Sequence, residues 1–525
     1  MHFSHPGYLP LQSDQEISTT GEILACAARR FRDKIGLIDG PGRWTFGELD
    51  ALANQFANAL VNTLAADDGP VGIMGKNSVE YAITHFGTAR TGLHTINFPT
   101  RCTEDELLHV IDLTRPAALI TNPEYDEIVN AACKRCGISP LRLSMGAERS
   151  DAGADFWQFL LDASDALPDI PVDPDASGSV IFTGGTTGMP KAVLASQRAR
   201  AVSAMAAIED FRMETTQVAG FSVPFTHTAG LFSWFQPAVL AGCTGVLIPK
   251  WDPESFMELT GQHGINVIFA VPAQLAKLLA HPAFDPERLR SLKRVVFGGA
   301  PLSPALIQRA EDAMPWMECA RAYGSTETGH LAAQIKSDRE VVFDGYNQPG
   351  GRLQIEIFKE AGVVAEIGET GELATRGPHL MTGYLDDETA QEEFFKTDTT
   401  DGQWGWMGDL AIRHDGYFTL VGRRKHMILS GGLNIFPAEL EELLSSHPQI
   451  ADCVVFGTED SVWGELPAAA VVANAGNIDE QGIMDFVAER VARHKRIRKI
   501  YVLDKIPRTV AGKAQIHLVK ELCRV

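Results

Sequence analysis

Three observations predict an α/β chain, with a large N-terminal domain of doubly wound parallel sheets, a β-rich subdomain and a small α+β C-terminal domain. Short apolar strands alternate with helix-length segments over most of the chain. After about residue 370, glycines punctuate the sequence every few positions. A fresh α/β pattern then fills about the last 100 residues, enough for a separate unit.

The predicted parallel strands include Val71-Gly72-Ile73-Met74, Ala118-Leu119-Ile120, Val267-Ile268-Phe269-Ala270-Val271 and Val295-Val296-Phe297, with helical stretches at Thr103 to Thr114 and Pro304 to Met314. Past residue 370, Gly371, Gly377, Gly383, Gly402, Gly405, Gly408, Gly416 and Gly422 separate short segments such as Tyr417-Phe418-Thr419-Leu420-Val421. Pro437 opens a helix whose Leu440, Leu443 and Leu444 share a face, and the strand Cys453-Val454-Val455-Phe456-Gly457 follows it. The boundary is placed at Arg423 to Lys425. The expected domains are therefore residues 1–422 and 426–525, with 423–425 as the segment between them, the place of a hinge once the resemblance below is drawn.

Composition narrows the function classes. The 525 residues are 45% hydrophobic and 22% charged, which is globular and excludes a disordered or collagen-like chain. Against 46 Lys plus Arg stand 67 Asp plus Glu, a net charge of −21 that disfavours a nucleic-acid binder while leaving room for a local basic pocket. Eight scattered cysteines read as reduced thiols, and the lone pair Cys133 and Cys136 has no second pair to complete a zinc site. The N-terminus lacks the basic start and apolar run of a signal peptide. Thr215 to Pro249 carries no charge but is broken by Pro224, Pro237 and several glycines, so it reads as a buried strand-helix-strand. A soluble, cytoplasmic protein without membrane association is expected.

The strongest local signal is Ser179-Val180-Ile181-Phe182-Thr183-Gly184-Gly185-Thr186-Thr187-Gly188-Met189-Pro190-Lys191. An apolar strand runs into glycines that let backbone N–H groups approach an anion, with hydroxyl donors and a lysine charge. It lacks the Gly-Lys-Ser/Thr of a Walker loop, so a nucleotide phosphate site and a plain Gly/Thr hairpin both fit it. Gly298-Gly299-Ala300-Pro301 follows Val295-Val296-Phe297, at the carboxyl end of a predicted parallel strand where ligands bind in open sheets. Tyr323-Gly324-Ser325-Thr326-Glu327-Thr328 adds an aromatic face, hydroxyls and a carboxylate.

As a group these segments resemble the acyl-adenylate-forming superfamily of acyl-CoA synthetases, carrier-protein adenylation domains and beetle luciferases. The resemblance continues through Gly371-Glu372-Leu373, Gly377-Pro378, Gly383-Tyr384, Gly408-Asp409, Gly422-Arg423, Gly431-Gly432-Leu433-Asn434 and Pro507-Arg508-Thr509 with Gly512-Lys513. The motifs occur in the family's order from about residue 175 to 515. Each is weak alone; the ordered set is specific.

The resemblance implies roles residue by residue. Thr183, Gly184, Gly185, Thr186, Thr187, Gly188 and Lys191 would hold the β- and γ-phosphates of ATP. Gly299, Ala300, Pro301, Ala322, Tyr323 and Gly324 would line the adenine site, with Asp409 on the ribose and Arg423 beside it. Thr326 would meet the α-phosphate, Glu327 would bind Mg²⁺, and Lys513 would bridge the acid and the α-phosphate. His227, Phe232, Gly298 and Gly324 would wall the acyl pocket, His227 also serving as a gate to the nucleotide. Lys425 would be the pivot. Gly432, Trp463, Arg496 and Arg101 would serve CoA, aided by the basic run His494-Lys495-Arg496-Ile497-Arg498-Lys499.

Each residue also has a structural reading: His227 as a core histidine, Asp409 as a turn carboxylate, Lys513 and the basic run as solvated charge. Ala192, Met407 and His426 depart from the family's usual glycine, threonine and acidic residue, and none removes a residue given a chemical role.

The implied activity is an ATP- and Mg²⁺-dependent acid–CoA ligase acting on an apolar carboxylic acid: aromatic, medium-chain or polycyclic. The alternatives are transfer to an acyl carrier protein's phosphopantetheine and a non-catalytic acyl-AMP or nucleotide sensor; luciferase-like oxidation has no support in the residues. No appended carrier domain is visible, and a homodimer is among the assemblies the resemblance allows.

Overall fold

The computed structural model describes residues 17–65, 68–146, 153–183, 189–299, 304–335, 353–360, 362–396, 403–415, 417–474, 478–508 and 514–525. Among the described residues the strands form four sheets, two of eight strands, one of six and one of five. The first sheet runs in the order 329–335, 318–325, 294–297, 267–270, 218–221, 244–247, 35–39 and 42–45, parallel except for the hairpin strand at each edge. The second has Val71–Met74, Thr95–Asn97 and Ala118–Thr121 at its parallel centre. Ser177–Thr183 and Lys191–Ser196 form an antiparallel pair toward one edge.

The expected parallel strands are present because their residues satisfy burial on both faces: every residue of Val71–Met74, Ala118–Thr121 and Val267–Ala270 is buried. The expected helices are also present. Glu104–Thr114 begins with a capping box in which Thr103 accepts from the Glu106 N–H, and Glu106 accepts from the Thr103 N–H in return. Pro304–Ala313 begins on its proline, where a missing N–H leaves no bond unmade.

One apolar core draws on both large sheets, combining Ile73 and Ile120 of the second with Phe221 and Phe269 of the first. The helix Gln197–Asp210 lies in it, buried at nearly every position from Gln197 to Ile208. The uncharged stretch resolves into the strand Val218–Phe221, a short helix, a π-helical turn at Leu231–Phe235, the helix Gln236–Leu240 and the strand Thr244–Leu247. Trp234 is buried there, its indole N–H donating to the Gly220 carbonyl at 2.9 Å. No described helix is long and apolar enough to cross a membrane.

The six-stranded sheet, led by Gln354–Glu360, Thr370–Arg376, Trp404–Arg413 and Phe418–Arg423, is antiparallel. After it comes a short 3₁₀ turn, Arg424–His426. The five-stranded sheet that follows has its own apolar clusters, drawn only from residues 428–523. The helix Pro437–Ser445 buries Leu440 and Leu444, with Leu443 on its flank.

Two imidazoles are sealed in the large lobe. Burial pulls the pKa of His85 down to about 3, with the Arg200 charge as a second cause, and burial alone does the same to His379. Such groups bind protons more readily in the unfolded chain. Their stabilising effect is therefore complete above pH 6.5 and is lost as pH falls toward 3. Each should cost about 2 kcal/mol between pH 7 and pH 5. Chemical denaturation of His379→Gln should show a pH 7-to-5 loss smaller by about that amount; an unchanged loss would refute the assignment.

Candidate active site

The strand Ser177–Thr183 delivers Thr183 to the entrance of the Gly/Thr-rich segment, and Thr183 pairs in register with Lys191 across the hairpin. Gly184, Gly185, Thr186, Thr187 and Gly188 lie outside the described residues. So do Ala300, Pro301 and Lys513. The Lys191 ammonium sits 3.0 Å from Asp387 and 5.6 Å from the centre of the Tyr384 ring.

Tyr384 links onward. Its hydroxyl donates to Glu327 Oε1 at 2.8 Å. Burial, reinforced by the Glu327 carboxylate, raises the phenol's pKa far above its ordinary value, so the hydroxyl stays a donor. Glu327 occupies a tight turn, Thr326 to Thr328, between the strands Glu318–Ser325 and Gly329–Ile335. The Glu327 carbonyl accepts from the Met381 N–H at 2.7 Å, and the Thr326 carbonyl accepts from Arg200 at 3.3 Å. Two glycines make this hairpin possible. A Cβ on Gly324 would lie 2.0 Å from the Gly329 carbonyl oxygen; Gly329 itself adopts φ +67° against the Ser203 hydroxyl.

The strand that ends in this turn also carries Ala322, half-buried against the main core, and Tyr323. The Tyr323 hydroxyl donates to Asp409 Oδ2 at 2.7 Å, while Arg423 Nε holds Oδ1 at 2.8 Å. Asp409 and Arg423 are direct partners in an antiparallel pair, so strand register alone brings them together. Burial and then the Asp409 charge push the Tyr323 pKa well up. Thr183, Lys191, Glu327, Tyr323, Asp409 and Arg423 are thus linked through neighbouring side chains or strand pairing.

Gly298 and Gly299 follow the parallel strand Arg294–Phe297; a Cβ on Gly298 would strike the Phe269 ring at 2.5 Å, and Gly299 has φ +82°. His227 precedes the helical turn Thr228–Gly230, its N–H donating to the Pro224 carbonyl at 3.0 Å. Burial lowers the imidazole's pKa, with the Arg101 charge as the second cause, so Arg101 lies within electrostatic reach of His227. Phe232 has no exposed surface: the Arg200 guanidinium stands 4.2 Å from its centre and the His85 ring 5.6 Å.

The hinge candidate Lys425 is exposed on the 3₁₀ turn, where Arg424 pairs with Glu372 at 2.6 Å. Burial, then Lys425 and Arg423, lower the His426 pKa to about 4. Gly432 follows Gly431, whose N–H donates to the Trp463 carbonyl at 2.7 Å, and Trp463 is exposed. Arg496 is exposed beyond the short turn Arg493–Lys495, which packs near the strand Leu433–Ile435. Arg101 precedes the helix Glu104–Thr114 of the large lobe.

Sequence reasoning missed four participants: Tyr384, Asp387, Arg200 and Asn77. The buried Asn77 amide donates to the Phe221 and Val223 carbonyls, each at 3.0 Å, and accepts from the Phe225 N–H, fixing the loop before His227. Only Tyr384 carried a signal, the Gly383-Tyr384 motif.

A family profile described as "AMP-binding enzyme" matches residues 24–385, and one described as "AMP-binding enzyme C-terminal domain" matches residues 439–513. The chain belongs to the AMP-binding enzyme family. It is an acyl-adenylate-forming enzyme of the AMP-forming acyl-CoA synthetase class. Among its relatives is indoleacetate–CoA ligase of Aromatoleum aromaticum, 31% identical over 483 residues that cover 91% of this chain and 93% of the relative. The fatty acid–acyl-carrier-protein ligase ScoC of Streptomyces coeruleorubidus is 28% identical over 485 residues, 89% of each chain. The solved anthranilate CoA ligase AuaEII, in complex with anthranoyl-AMP, shares the fold of this enzyme at a TM-score of 0.86 and 21% identity, covering 96% of this chain and 97% of that one.

Replacing Tyr323 with Phe takes one donor from a buried carboxylate and should lower unfolding free energy by about 1–3 kcal/mol. A double-mutant cycle of Tyr323→Phe with Arg423→Gln should be non-additive. Simple additivity would show that the two do not act on Asp409 as a unit.

Proposed function

We propose that this enzyme joins an apolar carboxylic acid (aromatic, medium-chain or polycyclic) to CoA through an acyl-AMP intermediate. The observation that carries the reading is the linked set Lys191–Tyr384–Glu327 and Tyr323–Asp409–Arg423, in which Tyr323 and Glu327 stand at the carboxyl end of the first-sheet strand Glu318–Ser325. A carboxylate is a poor acyl donor because its leaving oxygen is strongly basic. In the first step a carboxylate oxygen bonds to the α-phosphorus of ATP and the bond to the β-phosphate breaks, releasing pyrophosphate. In the second, the CoA sulfur bonds to the acyl carbon and the bond to AMP breaks, giving the thioester, AMP and a proton.

Both reactants of the first step are anionic, so positioning and cationic screening carry the rate. Thr183, Thr186, Thr187 and Lys191 would hold the phosphates with the loop glycines, Thr326 the α-phosphate and Lys513 the acid. Gly299, Ala300, Pro301, Ala322, Tyr323 and Gly324 would form the adenine site. Asp409 has an oxygen lone pair to spare on each side for the ribose hydroxyls, even with both oxygens engaged. Glu327 would hold Mg²⁺, which supplies charge neutralisation to the phosphates. One carboxylate oriented by Tyr384 suits an ion bound mainly by phosphate and water, and the described residues hold no cluster of three or more acidic, His or Cys ligands. His227, Gly298 and Gly324 would wall the acyl pocket, with Phe232 as its backing.

The C-terminal unit would turn at Lys425, swapping the Lys513 segment for a CoA face formed by Gly432, Trp463 and Arg496, with Arg101 opposite. The separate apolar cores after residue 428 support a body able to move as one. Transfer to a carrier protein is the second reading, favoured by the likeness to ScoC.

Pyrophosphate release should appear with apolar acids in a screen of diverse carboxylates, and thioester formation should be faster with CoA than with a carrier protein. Silence across the panel would instead favour a sensor. Lys513→Ala should abolish adenylation while sparing thioester formation from supplied acyl-AMP. Lys425→Pro should impair the two half-reactions unequally, and wild-type rates in both would remove it as the pivot.

A further inference from the structure

Arg200 lies among the largest fully buried side chains, on the enclosed helix Gln197–Asp210, and the reaction just described leaves it without a part. A charge taken out of water persists only where polar groups receive it. Its Nε donates to Ser179 Oγ at 3.0 Å, and its Nη1 donates to the Thr326 carbonyl at 3.3 Å. Its third face rests on the Phe232 ring at 4.2 Å, and Nη2 has no hydrogen-bond partner. Burial lowers the guanidinium's pKa to about 9, with Glu327 the opposing influence, so it is protonated at neutral pH.

The two acceptors belong to different sheets. Ser179 lies on the strand that enters the Gly/Thr-rich segment, in the second sheet; Thr326 lies in the hairpin turn at the edge of the first. One rigid planar group therefore spans two segments that come together only in the folded chain. It holds the turn by its backbone, whatever the side chains do. Lysine offers a single ammonium and cannot reproduce two donors held at a fixed angle.

We propose that Arg200 is a positioning residue for adenylation, setting the spacing between the phosphate-loop strand and the Thr326–Glu327 turn. The inference rests on the proposed function. Its buried charge also acts on the Glu327 carboxylate of that turn, in surroundings that screen it poorly.

The test compares full-length wild type with Arg200→Gln, Arg200→Lys and Ser179→Ala, measuring ATP affinity by calorimetry, acid-dependent pyrophosphate release, and thioester formation from supplied acyl-AMP. Arg200→Gln should weaken ATP binding about 5-fold or more and lower the adenylation kcat about 10-fold or more, with the acid KM and the thioester step within about 3-fold of wild type. Arg200→Lys should recover part of the loss. Ser179→Ala keeps the guanidinium in place and should show a smaller loss, about 3-fold, confined to adenylation. Equal losses in both half-reactions, or a shift in acid KM with unchanged kcat, would overturn the assignment. Should the Arg200 variants fail to fold, wild-type ATP affinity and adenylation in Ser179→Ala would overturn it equally. Wild-type enzyme that binds ATP yet releases no pyrophosphate with any acid would defeat the proposed function instead, and the ATP affinities would still judge Arg200.

Discussion

A carboxylate withdrawn from water needs donors on both oxygens, and Asp409 meets that condition by joining three parts of the chain. It stands on the strand Trp404–Arg413. Tyr323 reaches it from the edge hairpin of the first parallel sheet, and Arg423 from the strand that leads into the 3₁₀ turn. The antiparallel sheet is thereby fastened to the parallel body at the same point where the chain departs for its C-terminal unit. The link depends on register, since a one-residue slip of Phe418–Arg423 would send Arg423 to the opposite face.

The other half of the candidate site uses the same device with different groups. Tyr384 stands between the Lys191 ammonium and the Glu327 carboxylate, and burial keeps its hydroxyl protonated. Phenols suit this duty because they donate without bringing further charge into an already charged site. At the joint to the C-terminal unit the buried Glu372 carboxylate receives Arg424 at 2.6 Å, while the Arg424 side chain itself stays mostly exposed.

Much of this was legible in the residue order. The parallel strands and the helices at Thr103 and Pro304 announced themselves through apolar runs, a capping threonine and an N-terminal proline, all local effects. The candidate site residues drew notice in the sequence through neighbouring glycines, which mark turns that L side chains cannot enter, as at Gly324 and Gly299. Asn77 and Arg200 left no such mark. A buried asparagine holding a loop and a buried arginine bridging two sheets look, in sequence, like any polar residue on a helix or at its start. Phe232 was legible as part of a buried segment, but not the Arg200 and His85 groups that surround it, because those come from other elements of the fold.

The sequence by itself determined the strand and helix content, the order of the turn motifs and the family, because each is encoded over a few adjacent residues by periodicity, capping and backbone freedom. Only the tertiary structure decided that Tyr384 partners Glu327, that Asp409 is shared by Tyr323 and Arg423, and that Arg200 ties one sheet to another. Those contacts join residues far apart in the chain, and their energies arise from desolvation and register that exist only once the sheets have packed.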